Sequence, residues 1–281
     1  MSNAHISPLI ERSQEIQMKI DLTGKRAIVS GSTAGIGLAI ATGLATAGAE
    51  VVVNGRTEER VGKAIEIIRQ AVPTAILSGV VSDMSTAEGA ANLFAAAPEA
   101  DILVNSVGAA LFKSFEDLTD EDWLFMYQLN VMSGVRLTKH YLPGMTRRGW
   151  GRVVFISSES ALNPPKEMID YGMTKAAQLA VSRGVAELAA KSGVTVNSVL
   201  PGPTRSEGFG NVLEGIAQQT GQTIEEVEKG FLEQNRPTSL LGRFSTTEEI
   251  ANMVVYVCSQ QASATNGTAL RVDGGVVRSI A

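Results

Sequence analysis

Two rhythms of apolar and polar residues alternate along this chain, and the switches between them lay out its elements. Short apolar runs of strand length stand at 26–30, 50–54, 75–81, 102–105, 152–156, 195–200 and 268–272. Between them the spacing turns helical. A small-residue helix runs to about Ala47, and 57–71 places Val61, Ala64, Ile65 and Ile68 on one face before Pro73 ends it. A third helix is expected over about 85–97. A fourth opens at Thr119-Asp120-Glu121-Asp122, where a carboxylate follows the cap by three residues, and is expected to stop near Leu142 at Pro143-Gly144. Residues 169–191 form another helix, and capping boxes at 223–226 and 246–249 open two more.

Strand and helix in alternation predict an α/β fold: a single, doubly wound parallel sheet of Rossmann-like form with helices on both faces. No linker, repeat or composition shift divides it, so 18–281 reads as one domain. Residues 1–17 lack the apolar core of a signal peptide, and Glu11 and Glu15 argue against a transit peptide. They read as a polar leader before a start near Met18. Such sheets bind ligands beyond the carboxyl ends of their strands, where Gly31, Asp83, Asn105, Ser158 and Pro201 fall.

Composition narrows the function classes. With 281 residues, 44% of them apolar, the chain can bury a sizeable core, and 28 glycines against 5% aromatics suit helices packed closely on a sheet. A net charge of −5 argues against a sequence-independent nucleic-acid binder. A single cysteine, Cys258, excludes an internal disulfide framework or a cysteine-rich zinc site, and no metal centre is expected. No apolar run approaches the ~18 residues of a membrane span. The expected setting is soluble and cytoplasmic.

Two stretches carry chemistry. In Tyr171-Gly172-Met173-Thr174-Lys175 the phenol and ammonium are four residues apart, on one face of a helix. A cation ~5 Å from a phenol, at a dielectric of roughly 20, is worth about 3 kcal/mol, and would draw the phenol down by about two pKa units. Tyr127, Tyr141 and Tyr256 have Val131, Met145 and Gln260 at that offset instead. The bland alternative is a surface tyrosine with a lysine nearby. The second stretch, Gly31-Ser32-Thr33-Ala34-Gly35-Ile36-Gly37, joins the first strand to its helix and can bring backbone N–H groups against a pyrophosphate. The alternative there is a tight turn in which Gly37 only allows helix–strand contact.

Together with Ser158, thirteen residues before Tyr171, these stretches resemble the classical short-chain dehydrogenase/reductase family over about 19–281. The resemblance implies a catalytic set of Asn130, Ser158, Tyr171 and Lys175. In it Tyr171 exchanges a proton with the carbonyl or alcohol oxygen, Ser158 hydrogen-bonds that oxygen, and Lys175 holds the nicotinamide ribose and lowers the Tyr171 pKa. Asn130 is expected to anchor a water beside Lys175. The cofactor is expected at Gly31, Ser32, Thr33, Gly35, Ile36, Gly37, Asp83, Met84, Asn105 and Gly108, at Tyr171 and Lys175, and at Pro201, Gly202 and Thr204. Val272-Asp273-Gly274-Gly275 matches the family's C-terminal turn. Ser30 stands for the usual threonine, and Asn105-Ser106-Val107-Gly108 for the usual Asn-Asn-Ala-Gly.

Asn54-Gly55-Arg56 at the end of the second strand has no acid for ribose hydroxyls, and Arg56 can clamp a 2′-phosphate, so NADP(H) is expected over NAD(H). The resemblance further implies a lid over about 205–244 and a homotetramer built on the long helices starting near Thr119 and Ile169 and on the last strand. Glu159, Asn163 and Glu167 are either substrate contacts or solvated loop residues, and His5 and His140 are expected to be structural. The expected activity is hydride transfer between NADP(H) and a small or medium ketone/secondary alcohol pair. The alternative from another class is a non-catalytic NADP-binding sensor on the same scaffold.

Overall fold

The computed structural model describes residues 19–111 and 113–280, so the expected leader at 1–17 lies outside the described residues. Seven strands, β1 (Arg26–Val29), β2 (Glu50–Gly55), β3 (Leu77–Val81), β4 (Ile102–Asn105), β5 (Gly151–Ile156), β6 (Val194–Pro201) and β7 (Ala269–Val272), form one sheet. Every pairing is parallel, in the order β3-β2-β1-β4-β5-β6-β7, and Val29 lies in register with Val53 on one side and Val104 on the other. The helices are α1 (Gly35–Thr46), α2 (Glu58–Ala71), α3 (Ala87–Ala96), α4 (Asp120–Tyr127), α5 (Ser133–Arg148), α6 (Ile169–Leu188), α7 (Glu207–Thr220), α8 (Ile224–Asn235) and α9 (Thr247–Cys258).

Because strand residues point alternately to opposite faces, near-continuous apolar strands feed two cores. Ala27, Val29, Val51, Val53 and Val104 pack with Ile40 and Leu44 of α1 and Ile250 and Val254 of α9. Their neighbours Ile28, Val52, Leu103 and Phe155 pack with Leu93 of α3 and Leu137 and Met145 of α5. The strand order reverses between β1 and β4. Their carboxyl ends therefore diverge into the crevice where such sheets take ligands.

Two helices depart from expectation. Pro143 does not stop the fourth helix: α5 runs on to Arg148 and ends at Gly149 in the left-handed region. Pro143 sits on the exposed side, where the Lys139 carbonyl that loses its partner is near water, while Leu142 and Met145 stay in the core. The segment after β6 folds into α7 and α8 around a small core of Leu213, Val227, Leu232 and Phe244, with Phe209 and Phe231 against it. The three expected capping boxes at Thr119, Thr223 and Thr246 all form.

Candidate active site

Ser157 and Ser158 continue from the end of β5 and are buried. Ser157 Oγ donates to the Lys175 carbonyl at 2.9 Å, fixing α6 against the strand end. One helical turn separates Tyr171 from Lys175, so the Nζ lies 5.4 Å from the centre of the phenol ring. The lysine donates to the Ile156 carbonyl (2.9 Å) and to Gln178 Oε1 (3.3 Å). Gly108 closes the other side: a Cβ there would stand 3.2 Å from the Nζ.

Asn130 lies in a single π-turn, Gln128–Met132, between α4 and α5. Such a turn inserts an extra residue and re-aims what it carries. The Asn130 amide accepts from the Ala109 N–H at 2.9 Å and donates to the Ala109 carbonyl (2.9 Å) and to Thr174 Oγ1 (3.0 Å). It thus pins the loop after β4 to α6. Its main-chain carbonyl accepts from Gln178 Nε2 at 2.6 Å, and Gln178 Oε1 in turn accepts from Lys175, so a glutamine amide bridges the two residues. Gln178 was legible three residues beyond Lys175 on the same helical face, yet only the structure singles it out.

The expected lowering of Tyr171 does not hold. Burial pushes the phenol up to about 12, helped by the negative charge of Glu159, while Ser158 and Arg236 pull the other way. Burial also drives Lys175 down to about 7. The reason is mutual: an ammonium this deep loses much of the charge that would have softened the phenol.

Glu159 is not a solvated loop residue. Its Oε2 accepts from Ser158 Oγ (2.5 Å), the Ser160 N–H (2.7 Å) and Ser160 Oγ (2.9 Å), and its Oε1 accepts from Arg236 Nε at 2.7 Å. Arg236, just after α8, also reaches Glu167 at 3.3 Å. Asn163 is exposed. Arg236 escaped sequence reasoning because 77 residues separate it from Glu159.

The glycine turn fits a dinucleotide. Gly31 (φ 64°) and Gly35 (φ 53°) hold left-handed conformations, and a Cβ on Gly37 would meet the Gly31 carbonyl oxygen at 2.3 Å. Thus Gly37 does serve helix–strand contact. Helix α1 begins at Gly35, and Ala34 before it offers no side-chain cap, whereas threonines cap α2, α3, α4, α8 and α9. Its first N–H groups are left for an anion. Thr33 stands against Gly55, where a Cβ would meet its methyl at 2.3 Å. Arg56, one residue on, is exposed and pairs with no carboxylate among the described residues. Asn54 faces inward, bonding the Gly31 N–H, Val80 and Ser82.

Several expected cofactor residues turn out to serve the scaffold with their side chains. Ser32 Oγ donates to the Val29 carbonyl and accepts from the Asn54 N–H, and Ile36 packs on the first core. Met84 is buried in the second core, because the alternation after β3 turns it inward, so only exposed Asp83 remains at that rim. Asn105 donates to Thr138 at 3.2 Å, while its Oδ1 is buried without a partner. Ser30 Oγ donates to the Val104 carbonyl and accepts from the Ser106 N–H, so the two departures from the family pattern meet in one tie between β1 and β4. After β6 ends at Pro201, Gly202 abuts Asp273, and Thr204 Oγ1 donates to the Gly202 carbonyl at 2.8 Å.

His140 stacks on Phe94 with centroids 3.9 Å apart, away from these groups. A cavity of about 890 Å³ runs along α1 and α9 past Gly35 and Arg205, but it holds none of Ser158, Tyr171 and Lys175. Among the described residues no cluster of metal ligands occurs, and no helix is long and apolar enough to cross a membrane.

Comparison with known proteins places this geometry. The sequence profile of the family described as "Enoyl-(Acyl carrier protein) reductase" matches residues 31–277. "Uncharacterized oxidoreductase YvaG" of Bacillus subtilis is 46% identical over 263 residues, covering 94% of this chain and all of its own. The D-beta-hydroxybutyrate dehydrogenase of Cupriavidus necator is 32% identical over 260 residues, covering 91% and 99%. The crystal structure of L-sorbose reductase from Gluconobacter frateurii, complexed with NADPH and L-sorbose, superposes with a TM-score of 0.87 at 31% identity, over 94% of this chain and all of that one. The family match over residues 31–277 and relatives that cover nearly the whole length agree with the parallel seven-stranded sheet and the site at its strand ends, and the chain belongs to the classical short-chain dehydrogenase/reductase family of oxidoreductases.

Proposed function

We propose that the enzyme is an NADP(H)-dependent reductase of a small or medium ketone, forming the secondary alcohol, with Tyr171 as proton donor. One observation carries this: Ser158, Tyr171, Lys175 and Asn130 converge at the carboxyl ends of β4 and β5, beside a glycine turn left open to an anion.

A bound nicotinamide supplies the hydride. Tyr171 gives its proton to the carbonyl oxygen, and Ser158 donates a hydrogen bond to the same atom as negative charge grows there. A phenol pushed up to about 12 is protonated throughout the physiological range, so Tyr171 carries the proton that reduction requires. Lys175 is held for the nicotinamide ribose by Ile156, Gln178 and the closeness of Gly108. Asn130 fixes the loop that carries Gly108. Gly35 and Ile36 offer N–H groups to the pyrophosphate, and Arg56 with Thr33 offers a cationic and hydroxyl rim to a 2′-phosphate.

Residues 205–244 act as the lid, tied down by a two-point Arg205–Glu228 pair (2.7 Å each) and by Arg236 over Glu159. Exposed Phe115, Leu124 and Phe125 around α4 support a homotetramer built on the long helices. The test is NADPH oxidation, followed by absorbance, against ketones, diketones and 3-oxoacyl thioesters. Turnover on at least one class is expected, whereas tight NADPH binding without turnover on the whole panel would favour a sensor.

A further inference from the structure

We infer that Arg236, at the far end of the lid, is a positioning residue for the proton donor: its ion pair with Glu159 sets where the Ser158 hydroxyl proton points. The inference rests on the reading above, in which Tyr171 and Ser158 share one carbonyl oxygen.

A serine hydroxyl has one proton. Here Ser158 gives it to Glu159 Oε2 at 2.5 Å, yet a carbonyl oxygen taking on negative charge needs that same proton. Glu159 is therefore a competitor for it, and the strength of that competition depends on how far its charge is neutralised. Three donors already crowd Oε2, and Oε1 is held by Arg236 Nε at 2.7 Å. Both side chains are buried, 5% and 7% exposed, where an unpaired carboxylate is strongly disfavoured. Arg236 also bonds the Asn235 carbonyl and Glu167, so its guanidinium is fixed from the lid side. With the arginine seated, Glu159 keeps a weaker hold on Ser158 and projects a smaller field onto Tyr171. With the arginine withdrawn, the carboxylate holds the proton more tightly and opposes negative charge at the phenol.

The groups that act on Tyr171 come from three neighbouring elements: Lys175 on its own helix, Ser158 and Glu159 after β5, and Arg236 from the lid, with Glu167 behind Arg236. Of these, Glu159 and Arg236 act on the phenol with opposite signs.

The test titrates Tyr171 in the cofactor-free full chain labelled with 13Cζ-tyrosine, Y171F identifying the resonance. In parallel it follows kcat with NADPH and whichever ketone the panel turns over best. R236M should move the midpoint up and lower kcat by about ten-fold, the loss of one charge-assisted contact. E159Q should move the midpoint down, R236M/E159Q should fall between, and R236K should recover most of the R236M loss in kcat. If R236M does not fold, E159Q and R236K decide: the first must lower the midpoint and the second must leave it near wild type. Midpoints that move in the same direction, or not at all, overturn the inference. Y171F separates the two readings. If it still reduces the ketone, the proposed acid falls while the titration stands on its own; if it is inactive and the midpoints are unmoved, only the role of Arg236 falls.

Discussion

Replacing Lys175 with methionine should stabilise the cofactor-free enzyme at neutral pH while removing its activity. The lysine titrates at about 7 in the fold instead of its ordinary 10.5, because burial disfavours the ammonium. A folded-state value below the unfolded one means that the unfolded chain binds more protons between these pH values, so stability rises with pH across that window. The cost of holding Lys175 is ~4 kcal/mol at pH 7 and ~1 kcal/mol at pH 10, from ~1.4 kcal/mol per pH unit. Methionine removes that cost but strands the Ile156 carbonyl and Gln178 Oε1, which received the Nζ at 2.9 and 3.3 Å, a loss of ~2 kcal/mol. The net expectation is K175M more stable than wild type by ~2 kcal/mol at pH 7 and less stable by ~1 kcal/mol at pH 10. Urea unfolding at the two pH values, read by Trp123 and Trp150 fluorescence, measures it. A difference between mutant and wild type that is the same at both pH values would refute the reasoning.

Three further outcomes follow from the same geometry. R56D should raise the KM for NADPH by ~10–100-fold, the worth of one charge-assisted clamp, with kcat little changed, and unaltered preference would remove Arg56 as the reader. G108A should lower kcat by ~10–100-fold with little change in Tm, since its Cβ stands 3.2 Å from the flexible Lys175 end and 3.4 Å from Asn130 Oδ1; steady-state kinetics and a melting curve separate the two. Cys258 is fully buried and its thiol is pushed up to about 12, so a disulfide reagent at pH 8 should label it only at the rate of unfolding, measured by absorbance with and without urea.

The sheet was legible because strands such as β2 and β6 are apolar runs rich in β-branched residues and buried on both faces. Helix limits were less so. Pro143 reads as a stop, and only its place on the wet side of α5 lets the helix pass. Helix α7 was hidden by Gly208, Gly210 and Gly215, beside which a Cβ would meet nothing within 4 Å; they lower helix propensity without marking a turn. Within the site, Tyr171 and Lys175 share a helical face that spacing alone reveals. Their depth is a tertiary property, and it reversed the expected effect on the phenol. Ser32 and Met84 show the same limit: a position beside the cofactor crevice does not tell which way a side chain turns. The Arg236–Glu159 pair joins the lid to the end of β5, and no local pattern records it.

The most direct test of the account is the rate of NADPH oxidation by Y171F with the ketone that wild type turns over best, measured beside the NADPH Kd of both proteins. The account predicts a kcat at least ~10²-fold lower, the lower bound for loss of a positioned general acid, with Kd within about three-fold because only the phenolic oxygen is removed. Reduction by Y171F at a rate within a few-fold of wild type would contradict it.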